Sequence, residues 1–156
     1  MRRVLGCLLA ALLVVGGGAC ARIDEARHGV RPTRAAFVTS AEAMCAAATT
    51  VMKEAGLDTL GERPPTVRLA AYRTALLARR AGYLTIRDQR SPADDGAHIR
   101  AFADAALTGI DQLSELTRAQ DRRDPHGEDL ARTRAAAAFT LARSYGKALG
   151  FTTCLP

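Results

Sequence analysis

Residues 91–116 read SPADDGAHIRAFADAALTGIDQLSEL, and this stretch decides the fold. Ile99, Phe102, Ala106, Ile110, Leu113 and Leu116 recur at spacings of three and four, the period that places side chains on one face of an α-helix. The opening supplies a start signal. Ser91 is a capping residue, Pro92 suits the first helical position, where an amide hydrogen would have no partner, and Asp94 and Asp95 lie at the positive end of the helix dipole. Gly96 loosens the first turn, and the segment Asp121 to Asp124 ends the helix. One amphipathic helix cannot bury its own apolar face, so the rest of the chain must supply partners.

Toward the C-terminus, Asp124-Pro125 repeats the start signal. Leu130, Ala137, Ala138, Leu141, Tyr145 and Ala148 form the expected buried face of a fourth helix, Gly150 ends it, and Phe151 to Pro156 is a tail. Toward the N-terminus, a second helix is expected from about Thr66 to Gln89, after Pro64-Pro65, with Leu69, Tyr72, Leu76, Tyr83 and Ile86 as its stripe. Arg79 or Arg80 interrupts that stripe and reads as an arginine whose stem packs while its head reaches water. A first helix is expected from Thr39. Thr39-Ser40-Ala41-Glu42 has the form of a capping box, and Ala41, Met44, Cys45, Ala48, Val51, Met52 and Ala55 recur behind it until Gly56.

Four amphipathic helices joined by short links predict an all-α fold, an antiparallel up-down-up-down four-helix bundle over residues 37–156. That topology returns the end of helix 4 to the end of the bundle where helix 1 begins. Cys45 lies early in helix 1 and Cys154 lies just beyond helix 4, so the topology brings them together, and a Cys45–Cys154 disulfide is expected.

The chain opens with Arg2-Arg3 and the apolar run Val4 to Ala19, followed by Cys20. A positive start and a short apolar run form an export signal. The run is too short for the roughly 20 residues a membrane-spanning helix needs. Gly18-Ala19-Cys20 resembles a lipobox, with Gly17 where leucine is usual, and this makes Cys20 the lipid-modified first residue after a signal peptide of residues 1–19. Ordinary cleavage after Ala21, in an A-x-A setting, is the competing reading. Both remove Cys7 and leave Cys45 and Cys154 as an even pair, as exported proteins favour. Residues 20–36 carry charge, Gly29 and Pro32, and read as a flexible tether.

The composition is rich in alanine and arginine, with a net charge of +6, no Trp, three Tyr and four Phe. Alanine favours helix. The scarcity of aromatic side chains provides poorly for stacking on bases, and no nucleic-acid partner is expected. The cysteines form no C-x-x-C, so neither a thioredoxin-like centre nor a zinc knuckle is indicated. Glu25 and His28 match half of a di-iron motif but lie in the tether. His98 and His126 fall in first turns of helices. Asp104 and Asp111 share a face of helix 3 and read as a solvated pair. No catalytic residue, metal ligand or cofactor site is expected.

The pattern also resembles a loose class of small exported helical lipoproteins of high-GC Gram-positive bacteria. The resemblance rests on Phe37-Val38 entering a helix with Ala41 and Cys45, Pro64-Pro65 before the second helix, Ser91-Pro92-Ala93-Asp94 before the third, and Tyr145-Gly146 with Gly150-Phe151 and Cys154 at the end. It implies a fold and an address on the outer face of the cell membrane, and carries over no active site. The expectation is a non-enzymatic module tethered through a lipid anchor on Cys20, with an envelope protein or wall polymer as partner; plain secretion is the alternative address. The alternative function is a small-ligand-binding lipoprotein with an apolar cavity between the helices, in which Tyr72, Tyr83 and Tyr145 supply the polar handles.

Overall fold

The structure, a computed structural model, describes residues 30–54 and 65–156. The expected signal peptide, Cys20, Glu25, His28 and the loop before Pro65 lie outside the described residues. Among the described residues there are four helices: α1, Arg34–Glu54; α2, Pro65–Asp88; α3, Gly96–Arg122; and α4, Pro125–Leu149. Among the described residues there is no strand.

Helices adjacent in sequence pack side by side, α1 on α2, α2 on α3 and α3 on α4. Bonds at one end fix their alternating directions. Gln89, after α2, donates through Nε2 to Ser40 Oγ early in α1 at 3.1 Å. Arg34, at the start of α1, pairs with Asp95 before α3 at 3.6 Å and donates to the carbonyl of Ala148 at the end of α4. The result is the expected antiparallel up-down-up-down bundle.

Helix α1 begins earlier than Thr39. Thr33 is the cap: its Oγ1 accepts from the Ala36 N–H at 3.2 Å, and its carbonyl accepts from Phe37 N at 3.0 Å. The added turn carries Phe37 into the core, where it is 1% exposed. Burying that ring outweighs the local signal at Thr39, and Arg34 to Ala36, expected in the tether, are helical. Helix α3 begins later than expected. Pro92 is buried, a turn covers Ala93 to Asp95, and Ser91 donates to the Gln89 carbonyl instead of capping.

The α3–α4 corner is tight. Arg123 takes a left-handed conformation (φ 56°), and Asp124 N–H bonds back to the Ala119 carbonyl at 2.9 Å. Asp124 then caps α4, accepting the Gly127 N–H at 2.9 Å, with Pro125 as the first helical residue. One residue thus closes one helix and opens the next.

Helix α3 is the centre of the core. Ile99, Phe102, Ala103 and Ala106 have no exposed surface, and Leu107 and Ile110 are buried beside them. The inward face of α4 is made of small residues, Ala131, Ala135, Ala142 and Gly146, together with Leu149. This corrects the expected face, which is displaced by one position: Leu130 is 41% and Leu141 50% exposed, and Ala137 and Ala148 are exposed as well. The reason is close approach. Helix α3 contributes the bulk, so α4 turns its small residues inward to come near. Phe139 lies across Gly109 of α3, so a methyl there would sit 2.3 Å from the ring. Val51, expected on the apolar face of α1, is 41% exposed.

Candidate functional site

The most elaborated region of the domain is the junction between the C-terminal tail and α1. It starts at Gly150, whose φ of 90° is open to glycine and strained for other residues. The turn is closed by Gly150 N to Lys147 O at 3.1 Å and Phe151 N to Gly146 O at 2.9 Å, the two bonds of a Schellman motif. Phe151 enters the core 4.9 Å from the Phe102 ring and 6.5 Å from Phe37. Tyr83 meets Phe102 edge-on at 5.7 Å. One aromatic residue each from α1, α2, α3 and the tail therefore forms a continuous cluster.

Beyond Phe151 the tail has left its helix, and its backbone N–H groups need acceptors. Glu42 of α1 supplies them. Its carboxylate accepts from Thr152 N and Thr153 N, both at 2.7 Å, from Thr152 Oγ1 at 3.2 Å, and from Cys154 N at 3.4 Å. Burial works against the charged form, but donation from a threonine hydroxyl and from three successive backbone N–H groups outweighs it. The Glu42 pKa is held below its ordinary value. Cys154 is bridged to Cys45, one helical turn after Glu42, with the Cα atoms 5.1 Å apart. Its carbonyl accepts from the buried Tyr83 hydroxyl at 3.2 Å. The amide, carbonyl and sulfur of Cys154 are thus tied to two helices.

The three tyrosines fall in different surroundings. Tyr83 is spent on the tail; burial pushes its phenol pKa up, against the opposing charge of Arg79. Tyr72 is half-buried and shifted the same way for the same reasons. Tyr145 packs edge-on against His98 at 6.3 Å. Tyr83 borders a crevice of about 10 Å³ with Arg79 and Cys45. A larger groove of about 290 Å³ lies between α2 and α3, floored by Leu76, Leu77 and Ile110 and bordered by Arg73, Arg80 and Arg118. None of the three tyrosines lines it.

Asp104 and Asp111 share the exposed face expected of them, and each faces an arginine of α2: Arg87 at 3.9 Å and Arg80 at 3.3 Å. Arg79 is half-buried, and Arg80 is exposed. His98 and His126 are exposed. Among the described residues, no three His, Cys, Asp or Glu side chains gather as a metal site. The residue that sequence reading missed is Glu42, which was assigned to a cap. The available signal was Thr152-Thr153-Cys154, a tail pinned by a cysteine and left without helical bonding partners.

Compared with known proteins, the chain matches no family description, no curated protein and no solved structure.

Proposed function

We propose that this chain is a lipid-anchored, non-enzymatic helical module held at the outer face of the cytoplasmic membrane, serving there as an interaction or envelope-support element. The observation that carries the reading is Cys20 at the exit of the apolar run Val4 to Ala19. The Cys45–Cys154 disulfide supports it, because such bonds persist in oxidising compartments outside the cytoplasm. The proposed organisation is a signal peptide over residues 1–19, a tether from Cys20 and the bundle. The engaged polar groups also support a scaffold role: Glu42 binds the tail, and Asp104, Asp111 and Asp121 pair with Arg87, Arg80 and Arg73 of α2.

Metabolic labelling with an alkyne fatty acid tests the anchor. The wild-type protein should take up the label and the Cys20→Ala variant should not. An unlabelled wild type whose mature chain begins at Arg22 would establish ordinary secretion instead.

A second reading, binding of a small apolar ligand, is favoured by the α2–α3 groove, close in volume to the smaller ligand sites of proteins. An apolar dye whose fluorescence rises on binding the wild type and fails to rise with Leu77→Asp would support that reading. Equal response from both proteins would remove it.

A further inference from the structure

We propose that the outward face of α4 lies against an anionic phospholipid surface. The first observation is charge. From Leu130 to Pro156 the sequence contains no Asp or Glu, but it contains Arg132, Arg134, Arg143 and Lys147. Elsewhere in the bundle several arginines are matched, Arg73 with Asp121, Arg80 with Asp111, Arg87 with Asp88 and Arg118 with Glu115, and others, such as Arg100 and Arg122, are interspersed with acids in the sequence. Among the described residues, Arg132, Arg134 and Lys147 have no carboxylate partner, and Arg143 donates to the Pro156 carbonyl and to Thr140. All four cations are exposed.

The second observation is an apolar line on the same helix. Leu130, Ala137, Leu141 and Ala148 follow one another at spacings of seven, four and seven, which stack on one line of a helix. All four are exposed, with Leu130 at 41% and Leu141 at 50%. Arg134 falls on the same line, between Leu130 and Ala137. Arg132, Arg143 and Lys147 fall on a second line, separated from the first by Thr133, Thr140 and Ser144. The opposite side of the helix is buried through Ala131, Ala135 and Ala142. Beyond Asp129, an exposed acid in the first turns, the outward side therefore carries leucines along one edge and cations along the other with no further acid, the composition of a helix that lies in a membrane interface.

The pairing of these features selects the occupant. A soluble polyanion would engage the cations and leave Leu130 and Leu141 in water. A second copy of the same face would set cation against cation, which disfavours self-association. An anionic bilayer takes both, with the leucines at the acyl boundary and the guanidinium and ammonium groups at the phosphates.

This inference extends the membrane reading above, and its test separates the two. The full-length chain carrying Cys20→Ala, which has no acyl anchor, is mixed with vesicles of equal parts phosphatidylglycerol and phosphatidylcholine. A trace of photoreactive phosphatidylcholine is included in every vesicle, and the crosslinked residues are mapped by mass spectrometry. Within the bundle, crosslinks should concentrate between Leu130 and Ala148, and should fall there as salt is raised or when phosphatidylcholine alone is used. Each cation removed should weaken the α4 signal about fivefold, so the triple change Arg132→Gln, Arg134→Gln, Lys147→Gln should reduce it on the order of a hundredfold. Leu141→Ser should reduce it severalfold. These positions are exposed, and unchanged circular dichroism would show that each variant is folded.

Crosslinks spread evenly over all four helices, or undiminished in phosphatidylcholine alone, would overturn the proposal. Loss with the triple change but none with Leu141→Ser would show contact through charge alone, with the leucines left in water, and would overturn it as well. Crosslinked α4 in a protein that takes up no fatty acid would uphold the face and reject the anchor; fatty-acid uptake without crosslinked α4 would reject the face.

Discussion

The carboxylate of Glu42 holds the backbone N–H of Thr153 at 2.7 Å, across 111 residues of chain. The same carboxylate takes the N–H groups on either side, so one α1 side chain satisfies the donors of a tail that has left its own helix. Removing it should cost more than a surface charge would. Glu42→Ala leaves those N–H groups to water and is expected to destabilise by about 2 kcal/mol, lowering the melting temperature by roughly 8 °C. A shift within a degree of wild type would show that the tail is held without it.

The same contact sets a pH dependence. The folded-state pKa of Glu42 lies below the ordinary value of 4.5, so the unfolded chain takes up the proton first as pH falls. The stabilisation is fully present above 4.5 and is lost as pH falls through the lower, folded-state value. Denaturant melts of wild type and Glu42→Gln should therefore differ most near neutrality and converge in acid. A gap that widens toward acid would contradict the assignment.

The Cys45–Cys154 bridge spans a sequence separation of 109. Constraining so long a loop in the unfolded chain gives a ceiling of about 4.7 kcal/mol, and native disulfides typically deliver about 2–4 kcal/mol. Cys45→Ser and Cys154→Ser should each lose a similar amount, and the double variant little more than either. Additive losses would mean that the cysteines act separately.

The close approach of α3 and α4 is tested at Gly109. Alanine would gain about 1 kcal/mol of helix propensity, but its methyl would meet three ring atoms of Phe139 within 2.7 Å. Gly109→Ala is expected to destabilise by a net ~1–3 kcal/mol. Phe139→Leu in the same chain should recover part of that loss, because the two positions share one contact. Denaturant titration of the four proteins gives the coupling, and purely additive effects would place the ring elsewhere.

Arg123 is the reverse case. A side chain in the left-handed region costs about 1–2 kcal/mol, and glycine removes that strain at the expense of unfolded-state freedom. Arg123→Gly should stabilise by about 0.5–1 kcal/mol, seen as a rise in melting temperature. A fall would mean that the arginine contributes a contact worth more than the strain.

The helices were legible in the sequence because their periodicity is strong where large residues mark it. Ile99, Phe102 and Ile110 on α3, and Leu76, Tyr83 and Ile86 on α2, are buried as their spacing requires. The pairing of Cys45 with Cys154 followed from topology. Where alanine dominates, the marking fades. On α4 the leucines drew the expected face to Leu130 and Leu141, but tight packing against α3 depends on small residues and turned the helix by one position. Local start signals also misled. Thr39 and Ser91 are good caps in isolation, yet the burial of Phe37 and of Pro92 moved both helix starts. Glu42 was invisible as a tail clamp because its partners lie at the far end of the chain, and no local pattern reports such a contact.

The central claim, an exported bundle anchored at Cys20 and locked by one disulfide, is tested most directly by peptide mapping of the unreduced protein isolated from the cell envelope. The account predicts an N-terminal peptide that begins at an acylated Cys20, together with a linked pair of peptides joining Cys45 to Cys154. An unacylated N-terminus at Arg22, or at Met1, with Cys45 and Cys154 recovered as free thiols would contradict it.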